Sequence, residues 1–404
     1  MQWLRFVSAL ERDCVTALAP KETAGDLGVM LTGGGARAAY QVGLIKGLSE
    51  HFPHLKFPVV TGVSAGAINA VFLASRKGSL AQRAEELSQV WCELQCSSIW
   101  RFDWKTLAPF RSALASIFPR HKWTRSGGLV DTTPLARLLY RIFDARPNTP
   151  VRGLIDNIRS GDLHSLALVT LDYSTGQSVR WVQGRHDDIF EGPNRRSAPA
   201  EITVEHVLAS ASLPFVFPAV RIGTAWHGDG GIRLAAPLSP AVHLGARRII
   251  AMSTGYQRTK AEARTPVVEG YPPAAQILGQ LVNAIFLDVI DEDVARMERM
   301  NEMLRKLDAR ERNGFKPIDL LVLRPSRDLG KLAATYEKYL PRDLKTLTRA
   351  LGAKETESPD FVSMFMFEPR YIRELIDIGR ADVDARIDEI RAFLGESVQQ
   401  AAAL

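Results

Sequence analysis

The sequence predicts an α/β fold in which a doubly wound, mostly parallel β-sheet is flanked by helices. Short apolar runs recur along the chain and alternate with segments of helical periodicity. Glycine-rich turns follow the first two of these runs, and in such sheets functional loops gather where the parallel strands end. The composition is 46% hydrophobic and 24% charged over 404 residues, which is typical of an ordinary globular protein.

The apolar runs define the predicted strands, and period-3.6 patterns with capping residues define the predicted helices. The predicted strands, in chain order, are 26–31, 58–61, 166–172, 178–182, 248–253, 319–323 and 361–367. The third and fourth of them form a hairpin around the turn 174–176. A helix is predicted to follow the turn 33–38 and to run to about residue 50. Helices are also predicted over 79–95 and 274–307, and further helices begin at Thr133 and Thr203.

We expect four parts along the chain. Residues 1–25 form a lead-in, and 26–255 form the main α/β domain. Residues 97–128 are an aromatic and basic insertion within that domain. Residues 256–404 are a helical C-terminal extension that completes the sheet. We find no internal repeat.

Charge and cysteine content narrow the class of protein. The formal net charge of +6 permits an anionic partner, but no nucleic-acid-binding motif is present. Three cysteines are too few for a disulfide framework and fit a reducing compartment. The first 20 residues lack a signal-peptide pattern, and no apolar run is long enough to span a bilayer. We therefore expect a cytoplasmic protein that is soluble or rests on a membrane surface.

A Gly-x-Ser-x-Gly motif follows the second predicted strand. Gly62 and Gly66 flank Ser64, and an apolar helical segment comes next. This strand–turn–helix context is that of a nucleophile elbow, in which a sharp turn exposes the serine hydroxyl. A plain strand-to-helix turn that happens to contain serine is the alternative.

The turn after the first predicted strand supplies a second candidate site. Gly33, Gly34 and Gly35 present backbone amides without side chains, at the end of a strand and the start of a helix. Such amides can hold the oxyanion that forms when a serine attacks a carbonyl group. Arg37 can add positive charge there or brace the loop.

A serine nucleophile also needs a base, and two residues compete for that role. His227 would follow the usual serine–histidine arrangement. Asp229 lies in a Gly-Asp-Gly-Gly turn, where Gly230 and Gly231 let its carboxylate approach another loop closely. Burial would raise the pKa of this carboxyl group and make it a better base at neutral pH.

These motifs in this order resemble the patatin-like phospholipases, over about residues 27–238. A further block, Ala209-Ser210-Ala211-Ser212-Leu213-Pro214-Phe215-Val216-Phe217-Pro218, is similar to the Ala-Ser-x-x-x-Pro-x-x-Phe-Pro block of that family. The resemblance implies a three-layer α/β/α fold and a Ser–Asp dyad of Ser64 and Asp229. It also implies an oxyanion hole at Gly33–Gly35 with Arg37, and hydrolysis of phospholipid acyl esters with no metal or cofactor. Ala38 stands where the family usually has glycine.

Other functions remain as rivals at the level of sequence. A neutral-lipid or lysophospholipid esterase would use the same site. A dinucleotide-binding protein would match Gly33, Gly35 and Ala38, but it predicts an acidic residue at the end of the second strand, and none is present. A non-catalytic lipid-binding protein would ordinarily have lost Ser64 or Asp229.

Two segments are candidates for contact with a membrane. Residues 97–128 carry six basic side chains against one acidic side chain, with interleaved aromatics, a mixture that suits a membrane boundary. A cap over the core is the alternative. The candidate surface residues are Trp100, Trp104, Arg111, Arg120, Lys122, Trp123 and Arg125. The helix from residue 274 carries apolar residues from Ile277 to Phe286, for which we expect core packing.

Overall fold

A computed structural model of the chain describes residues 26–102, 128–185, 191–265, 271, 274–341, 345 and 360–395. The lead-in 1–25 and most of the segment 97–128 lie outside the described residues.

Nine of the described strands form one sheet, and two short strands pair separately. The large sheet contains β1 (Leu27–Leu31), β2 (Val59–Val63), β5 (Ser165–Asp172), β6 (Ser178–Gly184), β7 (Arg195–Pro199), β8 (Val220–Ile222), β9 (Ala225–Asp229), β10 (Arg248–Met252) and β11 (Asp319–Leu323). The separate pair is β3 (Arg101–Phe102) and β4 (Val130–Asp131).

Helices connect and cover these strands. They are α1 (Ala39–His51), α2 (Ala65–Ser75), α3 (Leu80–Cys92), α4 (Cys96–Ile99), α5 (Thr133–Ile142), α6 (Arg152–Ser160), α7 (Val204–Ser210), α8 (Ser239–His243), α9 (Lys260–Arg264), α10 (Ala274–Phe286), α11 (Val289–Lys306), α12 (Leu329–Tyr336), α13 (Asp360–Met364), α14 (Pro369–Ala385) and α15 (Ile387–Leu394). Short 3-10 turns occur at Gly35–Ala38, Gly230–Arg233 and Glu337–Tyr339.

The sheet order brings the ends of β1 and β2 together. The strands run in the order β11, β10, β1, β2, β5, β6, β7, and the first five are mutually parallel. Leu31 lies opposite Gly62, so the loops that follow β1 and β2 leave the same edge of the sheet. β9 pairs antiparallel with β5 and places Asp229 opposite Thr170.

Both faces of the sheet are covered. Val29, Leu31 and Val60 pack into one apolar core, whereas Met30 and Val59 pack into a second core on the opposite face. This alternation follows from the two-residue period of a strand. The predicted mostly parallel sheet between helices is therefore confirmed.

The prediction of a strand at 361–367 is wrong, since this segment begins with the helix α13. Arg37 explains the difference, because its side chain bonds both the Asp360 carboxylate and the Ser363 hydroxyl. Residues three apart lie on one side of a helix but on opposite faces of a strand. A single arginine can therefore reach both partners only if the segment turns.

The long helix predicted over 274–307 is two helices. The amides of Leu287 and Asp288 both donate to the carbonyl of Asn283, which ends α10, and α11 begins after Asp288. The expected core packing of α10 holds only in part. Ile277 and Leu281 are about half exposed (45% and 54%), although Phe286 is partly buried.

The C-terminal third packs against the rest of the chain. β11 extends the sheet by pairing with β10. α14 lies on α1 so closely that a Cβ at Gly43 would contact the carbonyl of Ile376, and the Tyr40 hydroxyl donates to Asp382 at 2.9 Å. Among the described residues, no helix combines the length and apolarity that a bilayer crossing requires.

Candidate active site

Ser64 occupies a strained turn between β2 and α2. Its φ of 56° is positive, which is uncommon for a residue other than glycine. A Cβ at Gly66 would touch the carbonyls of Leu31 and Thr32, so the turn closes tightly over the end of β1. The Ser64 side chain therefore projects from the turn instead of joining the strand or the helix.

The backbone of this turn is held by a residue distant in sequence. The Ser64 amide donates to the Ser210 hydroxyl at 3.0 Å, and that hydroxyl donates to the carbonyl of Val169 at 2.7 Å. Ser210 is fully buried at the end of α7. It belongs to the block 209–218, but sequence reasoning assigned it no role.

The glycine loop after β1 lies directly against Ser64. A Cβ at Gly33 would stand 2.8 Å from the Ser64 Cβ, so only glycine permits this approach. Thr254 holds the loop from the other side, because its hydroxyl donates to the carbonyl of Gly33 at 2.6 Å. No described residue accepts a hydrogen bond from the Gly33, Gly34 or Gly35 amide. The loop thus offers unpaired donors beside the serine.

Arg37 does not point at Ser64. Its Nε donates to the Ser363 hydroxyl at 2.6 Å, and it forms an ion pair with Asp360. The Asp360 carboxylate also accepts from Asn283 at 2.6 Å. Arg37 is only 2% exposed. This arginine therefore braces the glycine loop against the C-terminal third of the chain.

Asp229 is a buried carboxyl group at the end of β9. Its Oδ1 accepts from the Gly231 amide at 2.8 Å, whereas the fully buried Oδ2 has no hydrogen-bond partner of ordinary geometry among the described residues. Complete burial raises the pKa of Asp229 from its ordinary 3.8 to about 7. The nearby Ser64 hydroxyl and the Gly231 amide oppose this shift of the pKa.

His227 shares the strand with Asp229 but has other partners. Its Nδ1 lies 3.1 Å from the Thr170 hydroxyl, and its ring packs edge-on against Trp181. Burial lowers its pKa, although Asp172 opposes the shift. The described contacts of His227 therefore anchor it in the interior, beside Thr170 and Trp181.

Ser64 lines the end of an apolar cavity. Apart from Gly35, which adds only backbone, the other lining residues have apolar side chains. They come from α2, α3, α5, the stretch 94–99, the block 209–218 and the segment 364–367. Ser64 carries the one hydroxyl group among the described residues that line it. The free space is about 60 Å³, so lining side chains have to move apart before a long acyl chain can enter.

The proposed membrane surface is mostly outside the described residues. This applies to Trp104, Arg111, Arg120, Lys122, Trp123 and Arg125. Trp100 is described, but it is only 5% exposed and packs in the core. Its assignment to a surface is therefore wrong.

The family described as patatin-like phospholipase matches residues 29–242, which is more than half of the chain. No curated protein sequence matches the chain.

Among solved structures, VipD from Legionella pneumophila shares 14% identity with a TM-score of 0.35, and the match covers 75% of this chain and 61% of VipD. Human GIVD cytosolic phospholipase A2 in complex with methyl gamma-linolenyl fluorophosphonate shares 12% identity with a TM-score of 0.42, over 96% of this chain and 61% of that one. This chain thus spans about three fifths of the length of either protein.

Proposed function

The chain belongs to the patatin-like phospholipase family, and we propose that it cleaves fatty-acyl esters of phospholipids with a Ser64–Asp229 dyad. One observation carries this proposal. A strained serine, beside a loop of unpaired amides and a buried carboxyl group, lines the end of an apolar cavity. The apolar lining of that cavity suits an acyl chain once the side chains move apart, since most ligand pockets are apolar with a few polar groups placed to act.

In the proposed first step, the Ser64 hydroxyl attacks the ester carbonyl and its proton passes to Asp229. Oδ2 is the acceptor, because it is buried and has no other partner of ordinary geometry among the described residues. The negative charge that develops on the carbonyl oxygen is held by the amides of the Gly33–Gly35 loop. Collapse of the intermediate breaks the ester bond. The lysolipid leaves with the proton from Asp229, and the acyl group stays on Ser64.

In the second step, water attacks the acyl-enzyme. Asp229 accepts a proton from that water, the fatty acid is released, and the proton returns to Ser64. A carboxyl group with pKa about 7 is well matched to this exchange, because a base works best when its pKa is near the working pH. The mechanism assigns no proton transfer to His227.

The test is covalent labelling with a fluorophosphonate probe. We expect the parent protein to be labelled and Ser64→Ala to be unlabelled, while Asp229→Asn is labelled far more slowly. Equal labelling of all three proteins would contradict the proposal. Release of fatty acid from phospholipid, lysophospholipid and neutral lipid then assigns the substrate class, and preferential cleavage of neutral lipid would favour the esterase alternative.

Peripheral association with an anionic membrane through 97–128 stays a prediction from sequence. Each basic residue near such a surface contributes about 1 kcal/mol to binding. Replacing Arg111, Arg120, Lys122 and Arg125 together with glutamine should weaken vesicle binding. Unchanged binding at low salt would contradict this prediction.

A further inference from the structure

A surface groove adjoins the apolar cavity and lies between α3, α4 and α5. Its volume is about 430 Å³, which is within the range of about 300–1,000 Å³ that is usual for small-molecule sites. Four apolar residues line both the groove and the apolar cavity, and they are Val90, Leu94, Leu138 and Ile142. These four residues therefore form a partition between the two spaces.

The partition is held by apolar contacts alone. Leu138 and Ile142 are four apart on α5 and so lie on one face of that helix. Val90 lies near the end of α3, and Leu94 follows that helix. A hydrocarbon chain that passes between these side chains replaces one set of apolar contacts with another. No side-chain hydrogen bond has to break, because none of the four side chains is polar.

Arginines border this partition on the groove side. Arg137 and Arg141 are also four apart on α5, and each directly precedes a residue of the partition. Both are exposed, and they line the groove together with Arg101. None of the three forms an ion pair with a described residue. Glu93 is the one acidic side chain among the described residues that line the groove. The groove therefore carries an excess of positive charge beside an apolar wall.

A neighbouring carboxylate compensates part of this charge. The pKa of Asp131 is lowered by its hydrogen bond from the Thr133 hydroxyl and, to a smaller degree, by the charges of Arg101 and Arg137. Its Oδ1 is already occupied, since it accepts from the amide and the hydroxyl of Thr133 at 2.9 and 2.5 Å. Arg141 is not among the residues that act on Asp131. The charge of Arg141 therefore stays open to an anion in the groove.

We propose that the groove binds the carboxylate of a long-chain fatty acid, whose hydrocarbon tail passes through the partition into the apolar cavity. Planar guanidinium groups pair with carboxylate oxygens through two parallel hydrogen bonds. Arg137 and Arg141 are placed to hold the carboxylate, because the entrance for the tail is next to them on α5. This binding needs no ester hydrolysis.

A bound tail has a consequence for the candidate active site. Ser64 lines the same apolar cavity, so the tail takes up space that the proposed function gives to the acyl chain of the substrate. The fatty acid therefore competes with the substrate. This part of the inference rests on the proposed function, whereas binding to the groove does not.

Binding of dodecanoate is measured calorimetrically on the Ser64→Ala protein, below the concentration at which dodecanoate forms micelles. Acetate and the neutral dodecan-1-ol are the reference ligands. We expect saturable binding of dodecanoate and none of acetate, because burial of the tail supplies most of the affinity. Arg137→Gln/Arg141→Gln should weaken dodecanoate binding by at least about tenfold, since hydrogen bonds to a charged group are lost. The same change should leave dodecan-1-ol binding unaltered.

The double variant has a matched control. Arg137 and Arg141 are exposed, so their replacement should not prevent folding. Arg152→Gln/Arg159→Gln removes the same charge from exposed positions on α6. This control should bind dodecanoate as tightly as the Ser64→Ala protein that carries neither pair of changes.

Competition with the fluorophosphonate probe tests where the tail lies. On the protein with Ser64 intact, dodecanoate should slow labelling in a saturable manner. Arg137→Gln/Arg141→Gln should require at least about tenfold more dodecanoate for the same fractional slowing.

Absence of saturable dodecanoate binding would overturn the proposal. An equal loss of affinity in the two double variants would do so too, as would an equal loss for dodecan-1-ol. Bound dodecanoate that leaves the labelling rate unchanged would contradict the placement of the tail. If the parent protein is not labelled at all, the proposed dyad fails, and calorimetry on Ser64→Ala still decides whether the groove binds a fatty acid.

Discussion

The family-matched part of the chain and its last third contribute differently to the candidate site. Every side chain that the proposed mechanism uses lies within residues 29–242. The last third supplies no reacting group, but its residues hold and enclose the site. Asp360 braces Arg37, and Met364 lines the apolar cavity. Thr254, which lies between the family-matched part and the last third, holds the glycine loop. Reactive groups thus sit on local turns, whereas their support comes from residues far along the chain.

The largest effect should come from Asp229→Asn, which tests the family-matched part alone. Loss of the base should reduce turnover by about 10⁴-fold, which is the effect of removing the aspartate from a serine protease triad. The same change should stabilise the protein at high pH. A buried carboxyl group with a raised pKa contributes stability below about pH 4 and loses it as pH rises through about 7. Asparagine does not ionise, so the variant avoids this loss of folding stability, which in the parent reaches up to about 4 kcal/mol at pH 8.

Thermal unfolding of the parent and Asp229→Asn between pH 5 and 8 measures this effect. The difference in melting temperature should grow with pH in favour of the variant. A difference independent of pH would mean that Asp229 does not titrate near neutrality.

Gly35→Ala tests the contact between the two parts. Gly35 has a φ of +58°, and a Cβ there would touch the carbonyl of Met364. Displacing the loop should lower the rate of fluorophosphonate labelling by about 10²- to 10³-fold, as for the loss of one oxyanion donor. Gly223→Ala is the matched control, because Gly223 has a φ of +60° with nothing within 4 Å. If Gly223→Ala lowered the labelling rate as much as Gly35→Ala, the strain of a Cβ at positive φ would explain the loss, and the contact with Met364 would not.

The pH profile of kcat/KM reports on Asp229 and therefore tests the family-matched part alone. Asp229 must be ionised to accept a proton, so activity should rise about tenfold per pH unit below 7 and reach a plateau above it. Asp360→Asn should keep this midpoint, because Asp360 does not contact Asp229. A midpoint near 4 in the parent would contradict the proposed burial effect on Asp229.

Asp360→Asn should have the smallest effect on rate, and it tests the last third alone. The substitution leaves the buried Arg37 without its charge partner, which destabilises proteins by about 3–5 kcal/mol. We expect the labelling rate to fall by about tenfold, with little change in KM. Asp291→Asn is a suitable control, since it breaks the ion pair with Arg324 away from the glycine loop. A lower melting temperature with an unchanged labelling rate would make the Arg37–Asp360 pair purely structural.

Prediction from sequence succeeded where structure follows from neighbouring residues. The strand at 319–323 and the capping box of Ser79 with Gln82 match the predictions. It failed where a distant partner decides the local structure. The segment 361–367 reads as a strand by its apolar residues, but Arg37, more than 300 positions away, holds a helix there. The short strands β7, β8 and β9 were likewise missed, because pairing with the large sheet stabilises them.

The sequence alone determined the turn chemistry of this protein and the order of its motifs. Glycines around Ser64 and before Arg37 act through backbone geometry, which depends on the residue itself and its neighbours. Only the tertiary structure decided which carboxyl group is buried enough to have a pKa about 7, that Arg37 points away from Ser64, and which residues line the apolar cavity. Burial and packing depend on partners such as Ser210 and Thr254, which lie 146 and 221 positions from the residues they hold. Such contacts leave no local pattern, so they exist only once the chain has folded.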